Sequence, residues 1–387
     1  MTKLLNLSAK ICLHKAKALA ELKRYEDALR SVKKSLENLN PRDQEFIEAR
    51  SLQTLVADCL AEEYFVLGGQ LYFKKDYQAS IQYLSDAIRL KPTLAAAYEV
   101  RGASHYELKN HQQALNDVTQ ALQINPQLES AYFIRGKLNS ENKNYQAAIQ
   151  DFTQILQINP NHAQSYRCRS HAWDYLGNHQ EAIKDCTQFL TLQPDCVEGY
   201  LYRAVLFEST GNLQRSIDDY TQALALDSNL YPAYSLRGDI YARLEKYQAA
   251  IQDYNQSIRL DPEDIKGYEK RGYCQKELEH YREAIEDFSQ ALRRDSELVD
   301  IYHLRAQCHQ ELRDYQEAIR DFTQVIRRRP SYYRAYLGRG AAYAFSNNME
   351  SAASDLGIAA RLCQLQGDTE GYQQVMNIVN FLAGSRR

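Results

Sequence analysis

Apolar residues recur along this chain with the spacing of helices, in pairs of short runs separated by polar turns. Tyr132, Ile134 and Leu138 mark one run, and Ala148, Ile149, Phe152, Ile155 and Leu156 mark the next. The pair then repeats without insertion or deletion: Tyr64, Tyr98, Tyr132, Tyr166, Tyr200, Tyr234, Tyr268, Tyr302 and Tyr336 stand 34 residues apart. Aligned on these tyrosines, residues 61–366 divide into nine two-helix units that begin at residues 61, 95, 129, 163, 197, 231, 265, 299 and 333. A unit this short cannot bury its own apolar face, so its neighbours must cover it. The pattern predicts one elongated all-α array and a surface for partners.

Individual positions sharpen the prediction. The eighth residue of a unit is small (Gly102, Gly136, Gly238, Gly272), and so is the twentieth (Ala114, Ala148, Ala250, Ala284). Small residues at facing places let two antiparallel helices approach, and Phe152, Tyr220, Tyr254, Phe288 and Phe322 fill the space beside them. Six of the eight prolines (Pro92, Pro126, Pro160, Pro194, Pro262, Pro330) share one place, where the missing N–H ends the second helix. The seventh residue is arginine in eight units: Arg101, Arg135, Arg169, Arg203, Arg237, Arg271, Arg305 and Arg339. The twenty-third is aspartate in the same eight: Asp117, Asp151, Asp185, Asp219, Asp253, Asp287, Asp321 and Asp355. The unit at 61 has neither, carrying Leu67 and Tyr83. Joint presence and joint absence predict a structural ion pair that bridges the two helices of one unit in the forked arginine–carboxylate geometry.

The period and its small–small–aromatic–proline pattern resemble the tetratricopeptide repeat family over roughly four fifths of the chain. The idiom of Tyr132 to Gly136 with Ala148 to Gln154 looks like a bacterial array. The resemblance implies a right-handed superhelical solenoid of about ten antiparallel helix pairs with a C-terminal capping helix. It also implies a concave face lined by the first helices through unit positions 2, 5, 9 and 12 or 13. Carried onto this chain, those positions include Glu99, Tyr106, Phe133, Lys137, Gln164, Arg167, His171 and Tyr175, then Glu198, Leu201, Asp239, Arg243, Lys266, Glu269, Tyr273 and Lys276, and finally Asp300, His303, Gln307, Arg334 and Phe345. The residues expected to bind a partner are Tyr106, Phe133, Lys137, Gln164, Arg167, His171, Tyr175, Lys266, Tyr273 and His303, and the stretch from Phe133 to Tyr175 is the richest in aromatics and cations. Relatives that grip acidic chaperone tails need a lysine–asparagine set over three units. Arg167 and His171 stand where its first two members would be, but Tyr202 and Pro232 replace the next ones, which disfavours that partner.

Both ends depart from the period. Residues 9–42 look like a degenerate first unit through Ala16, Tyr25, Ala28 and Pro41, and 18 extra residues separate it from the unit at 61. Those residues make five whole helical turns, which predicts one long helix from about Asp43 to Phe73, with a kink at Gly68–Gly69 as the alternative. Residues 1–60 are thus expected to hold the degenerate repeat and the helical insertion, residues 61–366 the nine units, and residues 367–387 a terminal segment. Gly367 to Glu370 form a turn with capping residues, and Tyr372, Val375, Met376, Val379 and Leu382 then share one face. That face is expected to cap the array, a partner-binding tail being the alternative, with Gly384 to Arg387 frayed.

Charge and chemistry change this picture little. Lys+Arg of 47 against Asp+Glu of 50 favours neither nucleic acid nor an anionic membrane, and acidic neighbours offset the run Arg327–Arg329 with Arg293, Arg294 and Arg334. Lys10, His14, Lys15 and Lys17 interrupt the N-terminal apolar residues, so a signal peptide is not expected, nor membrane insertion, and the chain reads as cytoplasmic. The eight cysteines include no Cys-x-x-Cys pair, and no phosphate loop, zinc motif or nucleophile elbow occurs. No catalytic residue, metal site or cofactor is therefore expected. The function read from the sequence is a non-enzymatic scaffold or adaptor that binds a protein segment in its groove. An assembly factor for a larger complex, for example a photosystem, and a regulatory subunit of a separately encoded enzyme stay open as alternatives.

Overall fold

The structure, a computed structural model, describes residues 2–384, with side chains for residues 7–382. Among these residues every regular element is a helix. The chain forms two compact units, Met1–Pro194 and Asp195–Arg387. The first contains α1 (Thr2–Glu21), α2 (Tyr25–Leu36), α3 (Gln44–Phe73), α4 (Tyr77–Leu90), α5 (Ala95–Glu107), α6 (His111–Ile124), α7 (Glu129–Glu141), α8 (Tyr145–Ile158), α9 (Ala163–Tyr175) and α10 (His179–Leu192). The second contains α11 (Val197–Ser209), α12 (Leu213–Leu226), α13 (Tyr231–Arg243), α14 (Tyr247–Leu260), α15 (Ile265–Glu277), α16 (Tyr281–Arg294), α17 (Val299–Glu311), α18 (Tyr315–Arg328), α19 (Tyr333–Phe345), α20 (Met349–Gln366) and α21 (Thr369–Gly384). Within each unit a helix packs chiefly on its neighbours in sequence, as a repeat array requires.

The turn inside each pair has a backbone that its residues do not advertise. Lys75, Lys109, Lys143, Glu245, Glu279, Arg313 and Asn347 all have φ between 57° and 66°, and Gly177 and Gly211 hold the same place. The next residue then donates its N–H five residues back, as Asn144 does to Asn139 at 2.7 Å, which closes a Schellman turn. Lys23, between α1 and α2, has φ 56° and the same closure, so residues before 42 turn as the later pairs do. At the other end of the pair, Asn125 (φ −133°, ψ 100°) and Asp227 (φ −138°, ψ 105°) are extended. Pro126 follows the first and Ser228 the second, so proline favours this exit without being needed for it.

Close approach explains the small residues. A Cβ on Gly136 would meet the Phe152 ring at 2.8 Å, and that ring is completely buried. The helix expected between about residues 43 and 73 runs as one element of 30 residues through Gly68 and Gly69. At the C-terminus Gly367 takes φ 69°, Asp368 accepts the Gly371 N–H at 2.8 Å, and α21 lays Val375 against Leu356, Ala359 and Cys363. Of the terminus expected to fray, residues 385–387 lie outside the described ones.

Candidate partner-binding surface

The repeated arginines and aspartates form the frame on which the surface is built. In all eight repeats that carry them, Nε and Nη2 of the arginine donate to the aspartate of the same repeat at 2.6–3.1 Å. The carboxylates are only 3–7% exposed. Two further partners escape a reading of the sequence. The guanidinium lies 5.4–5.8 Å from the ring of the periodic tyrosine three residues earlier, so that tyrosine serves as the arginine's platform. Its Nη1 reaches the preceding repeat: Arg101 to Ser85, Arg169 to Thr153, Arg237 to Thr221, Arg271 to Asn255, Arg305 to Ser289 and Arg339 to Thr323, at 2.5–3.0 Å. The arginine therefore joins adjacent repeats as well as the two helices of its own.

In the first unit the residues expected at the groove satisfy one another. Tyr106 is 9% exposed and packs with Ala114 and Leu138, while its hydroxyl donates to Glu141 at 2.7 Å. It is a core residue more than an open anchor, because its place on α5 faces the next helix pair. The Lys137 ammonium lies 4.7 Å from the Tyr106 ring and 6.0 Å from Phe133, and Phe133 itself packs on Phe152 and His162. Gln164 is half-buried. Farther along α9, Arg167 and His171 are exposed, the Arg167 guanidinium lies 5.9 Å from the Phe189 ring, and Tyr175, 71% exposed, stacks on Tyr145 at 4.8 Å with ring planes 4° apart. His171, Tyr145 and Tyr175 line a cavity of about 260 Å³ with Glu141 and Lys143.

The second unit places ion pairs where the first places aromatics. Arg243 Nη1 donates to Glu208 at 2.5 Å, and Lys270 Nζ donates to Asp239 at 2.6 Å. The Tyr254 hydroxyl also donates to Asp239, at 2.7 Å. With Glu269 and Tyr273, which is 43% exposed, these groups line a cavity of about 430 Å³ over Ala242, Cys274 and Leu304. Lys266 is exposed, one turn before Glu269. Glu208 and Lys270 were missed among the expected binding residues, yet they carry a signal. Partners across adjacent repeats stand 35 residues apart (Tyr106 with Glu141, Glu208 with Arg243) or 31 apart (Asp239 with Lys270), so a scan for complementary side chains at those separations would have found them.

His303 sits edge-on to Phe322 and Tyr332, at 5.5 and 5.4 Å. Burial, with the Arg334 charge beside it, pulls its pKa down to about 4, so the ring is neutral at pH 7. Gln307, Gln310, Arg334 and Gln374 share a cavity of about 430 Å³ with it. Three arginines of the basic run are occupied by local structure: Arg294 and Arg328 donate to the carbonyls of Pro262 and Ser296 and lie over the rings of Tyr268 and Tyr302, and Arg329 holds Asp300 at 2.6 Å. Among the described residues no group of three or more His, Cys, Asp or Glu could hold a metal ion, and no helix is long and apolar enough to cross a membrane.

Family models described as tetratricopeptide repeat match residues 231–264, residues 172–231 and 303–363, and residues 129–162 and 265–298. Together they span more than half of the chain. No curated protein matches at a significant level. Similar solved structures include YrrB, described as a TPR protein with an unusual peptide-binding site (23% identity over 50% of this chain and 97% of that one, TM-score 0.45). A tetratricopeptide repeat protein from Parabacteroides merdae is 22% identical over 64% of this chain and 98% of that one, TM-score 0.43. The C-terminal part of a repeat protein from Cytophaga hutchinsonii is 15% identical over 71% and 98%, TM-score 0.48.

Proposed function

The chain belongs to the tetratricopeptide repeat family, and we propose that it is a non-enzymatic scaffold that holds an extended segment of a protein partner against its first helices. In this reading residues 61–366 are the binding array and the segments before and after it close its ends. It works in the cytoplasm, where its eight free cysteines stay reduced. The observation that carries the reading is Tyr175, a ring held flat against Tyr145 while most of it faces solvent, with His171 beside it and Arg167 exposed two turns earlier on the same helix. An aromatic already fixed by stacking loses little freedom when a partner covers it, which is the property of an interface anchor.

The test is affinity capture from the native cell, with captured proteins identified by mass spectrometry. Arg167→Glu combined with Tyr175→Ala should remove the partners bound by the unmodified chain while leaving its thermal unfolding unchanged. An identical set of partners would overturn the assignment of this face.

A further inference from the structure

We propose that the cavity beside Glu269 in the second unit is a pocket for an arginine side chain of the bound segment, a proposal that rests on the scaffold reading above. The argument is one of charge accounting around a built cavity. Five side chains charged at pH 7 line it, and four of them are matched: Glu208 with Arg243, and Asp239 with Lys270. Of the five, Glu269 alone makes no hydrogen bond or ion pair among the described residues, although it is half-buried.

Repeat geometry explains why it is left over. The equivalent Glu99 in the first unit accepts a hydrogen bond from Ser130, 31 residues on. At the same separation from Glu269 stands Asp300, another carboxylate, which Arg329 already holds at 2.6 and 3.2 Å. Lys266 and Lys270 flank Glu269 on its own helix; Lys270 is bound to Asp239, and exposed Lys266 lies beyond ion-pair distance. Glu269 has thus lost water without gaining a hydrogen-bonded counter-ion; Lys270 and Lys266 attract it only from a distance, and burial outweighs them and pushes its carboxyl upward.

The rest of the wall selects the cation. Tyr273 lies four residues after Glu269, hence on the same helical face, and offers an exposed ring beside the carboxylate. A guanidinium can pair in a fork with Glu269 while its flat face lies on the Tyr273 ring, whereas an ammonium matches only the charge. Ala242 and Leu304 supply an apolar floor for the methylene stem.

The full-length chain is immobilised and panned with a phage-displayed library of random peptides. Peptides whose binding requires Tyr273 should share an arginine, lose about tenfold in affinity when that arginine becomes alanine, and lose as much against Glu269→Gln. Replacing their arginine by lysine should cost less than replacing it by alanine. The variant should unfold at the same or a higher temperature than the parent chain, since it loses an unmatched carboxylate; a group needed for the fold would behave in the opposite way. Peptides that need Tyr273 but lack arginine, or that bind Glu269→Gln equally well, would overturn the pocket and leave the scaffold standing. Selection of no peptide, together with unchanged capture by the Arg167→Glu, Tyr175→Ala chain, would overturn both.

Discussion

The two stretches of surface built on the same repeat differ in how completely they are closed. On α5 and α7 the tyrosine, lysine and glutamate at the groove positions bind one another: Tyr106 to Glu141, Lys137 over Tyr106 and Glu99 to Ser130. On α13 and α15 two salt bridges leave one carboxylate unmatched beside an exposed ring. The backbone and the arginine fork are common to both, so the difference arises from a few residues at separations of 31 and 35. On the proposed reading, the repeat keeps its frame constant and sets binding by which diagonal pairs it leaves incomplete.

The largest expected effect tests whether the frame is really shared. Arg237→Leu strands Asp253, which is 4% exposed, and should destabilise the chain by about 3 kcal/mol in urea unfolding. Arg135→Leu should cost somewhat less, because Asn139 still donates to Asp151 at 3.0 Å. Adding Asp253→Leu to Arg237→Leu should recover most of the loss. Equal stability of Arg237→Leu and the parent chain would mean that the fork holds nothing together.

The next effect belongs to the second unit. His303 stays neutral in the folded chain down to about pH 4, whereas an unfolded histidine takes a proton near its ordinary value of 6.5. Its contribution is complete above about pH 6.5 and lost progressively as pH falls towards 4, a decline on the order of 3 kcal/mol. His303→Phe keeps an aromatic against Phe322 and Tyr332 and should flatten that part of the stability–pH curve; an unaltered curve would remove His303 as its cause.

The smallest effect separates closed from open pairs. Tyr106→Phe takes one of two partners from Glu141, which keeps His111 Nδ1 at 3.3 Å, and should cost about 1 kcal/mol of stability. It should not alter the affinity of peptides that need Glu269. The reverse pattern, a binding loss with no change in unfolding, would show that the first surface is open too.

The fold was legible because packing imposes a period on the residues it needs. The small residue that is Gly136 under Phe152, and Ser170, Ala204 or Ala306 elsewhere, recurs because the facing helix is close, and Asp151 recurs because the fork needs a carboxylate. The Arg–Asp fork was legible from the one unit that lacks both members. The left-handed turn was not: Lys143 and Glu245 adopt φ near 60° through turn closure, and neither side chain signals it. The candidate surface was half legible. Family positions located Tyr175 and Tyr273 on exposed faces, but they placed Tyr106 there also, because position along a helix does not say whether the neighbouring repeat covers a ring. Glu208 and Lys270 were missed because their meaning lies in partners one repeat away.

The backward reach of each arginine also bears on how the first unit comes apart. Arg101 is the earliest of the repeated arginines, and its Nη1 ends on Ser85 of α4. Upstream of that bond α1 and α2 are held by apolar packing around Leu19, Leu29 and Leu60 and by exposed pairs such as Lys17 with Glu48. Exposed pairs add little. The N-terminal helices are therefore expected to open as their own foldon, their amides exchanging with solvent on warming before those of the repeats from Tyr98 to Pro194.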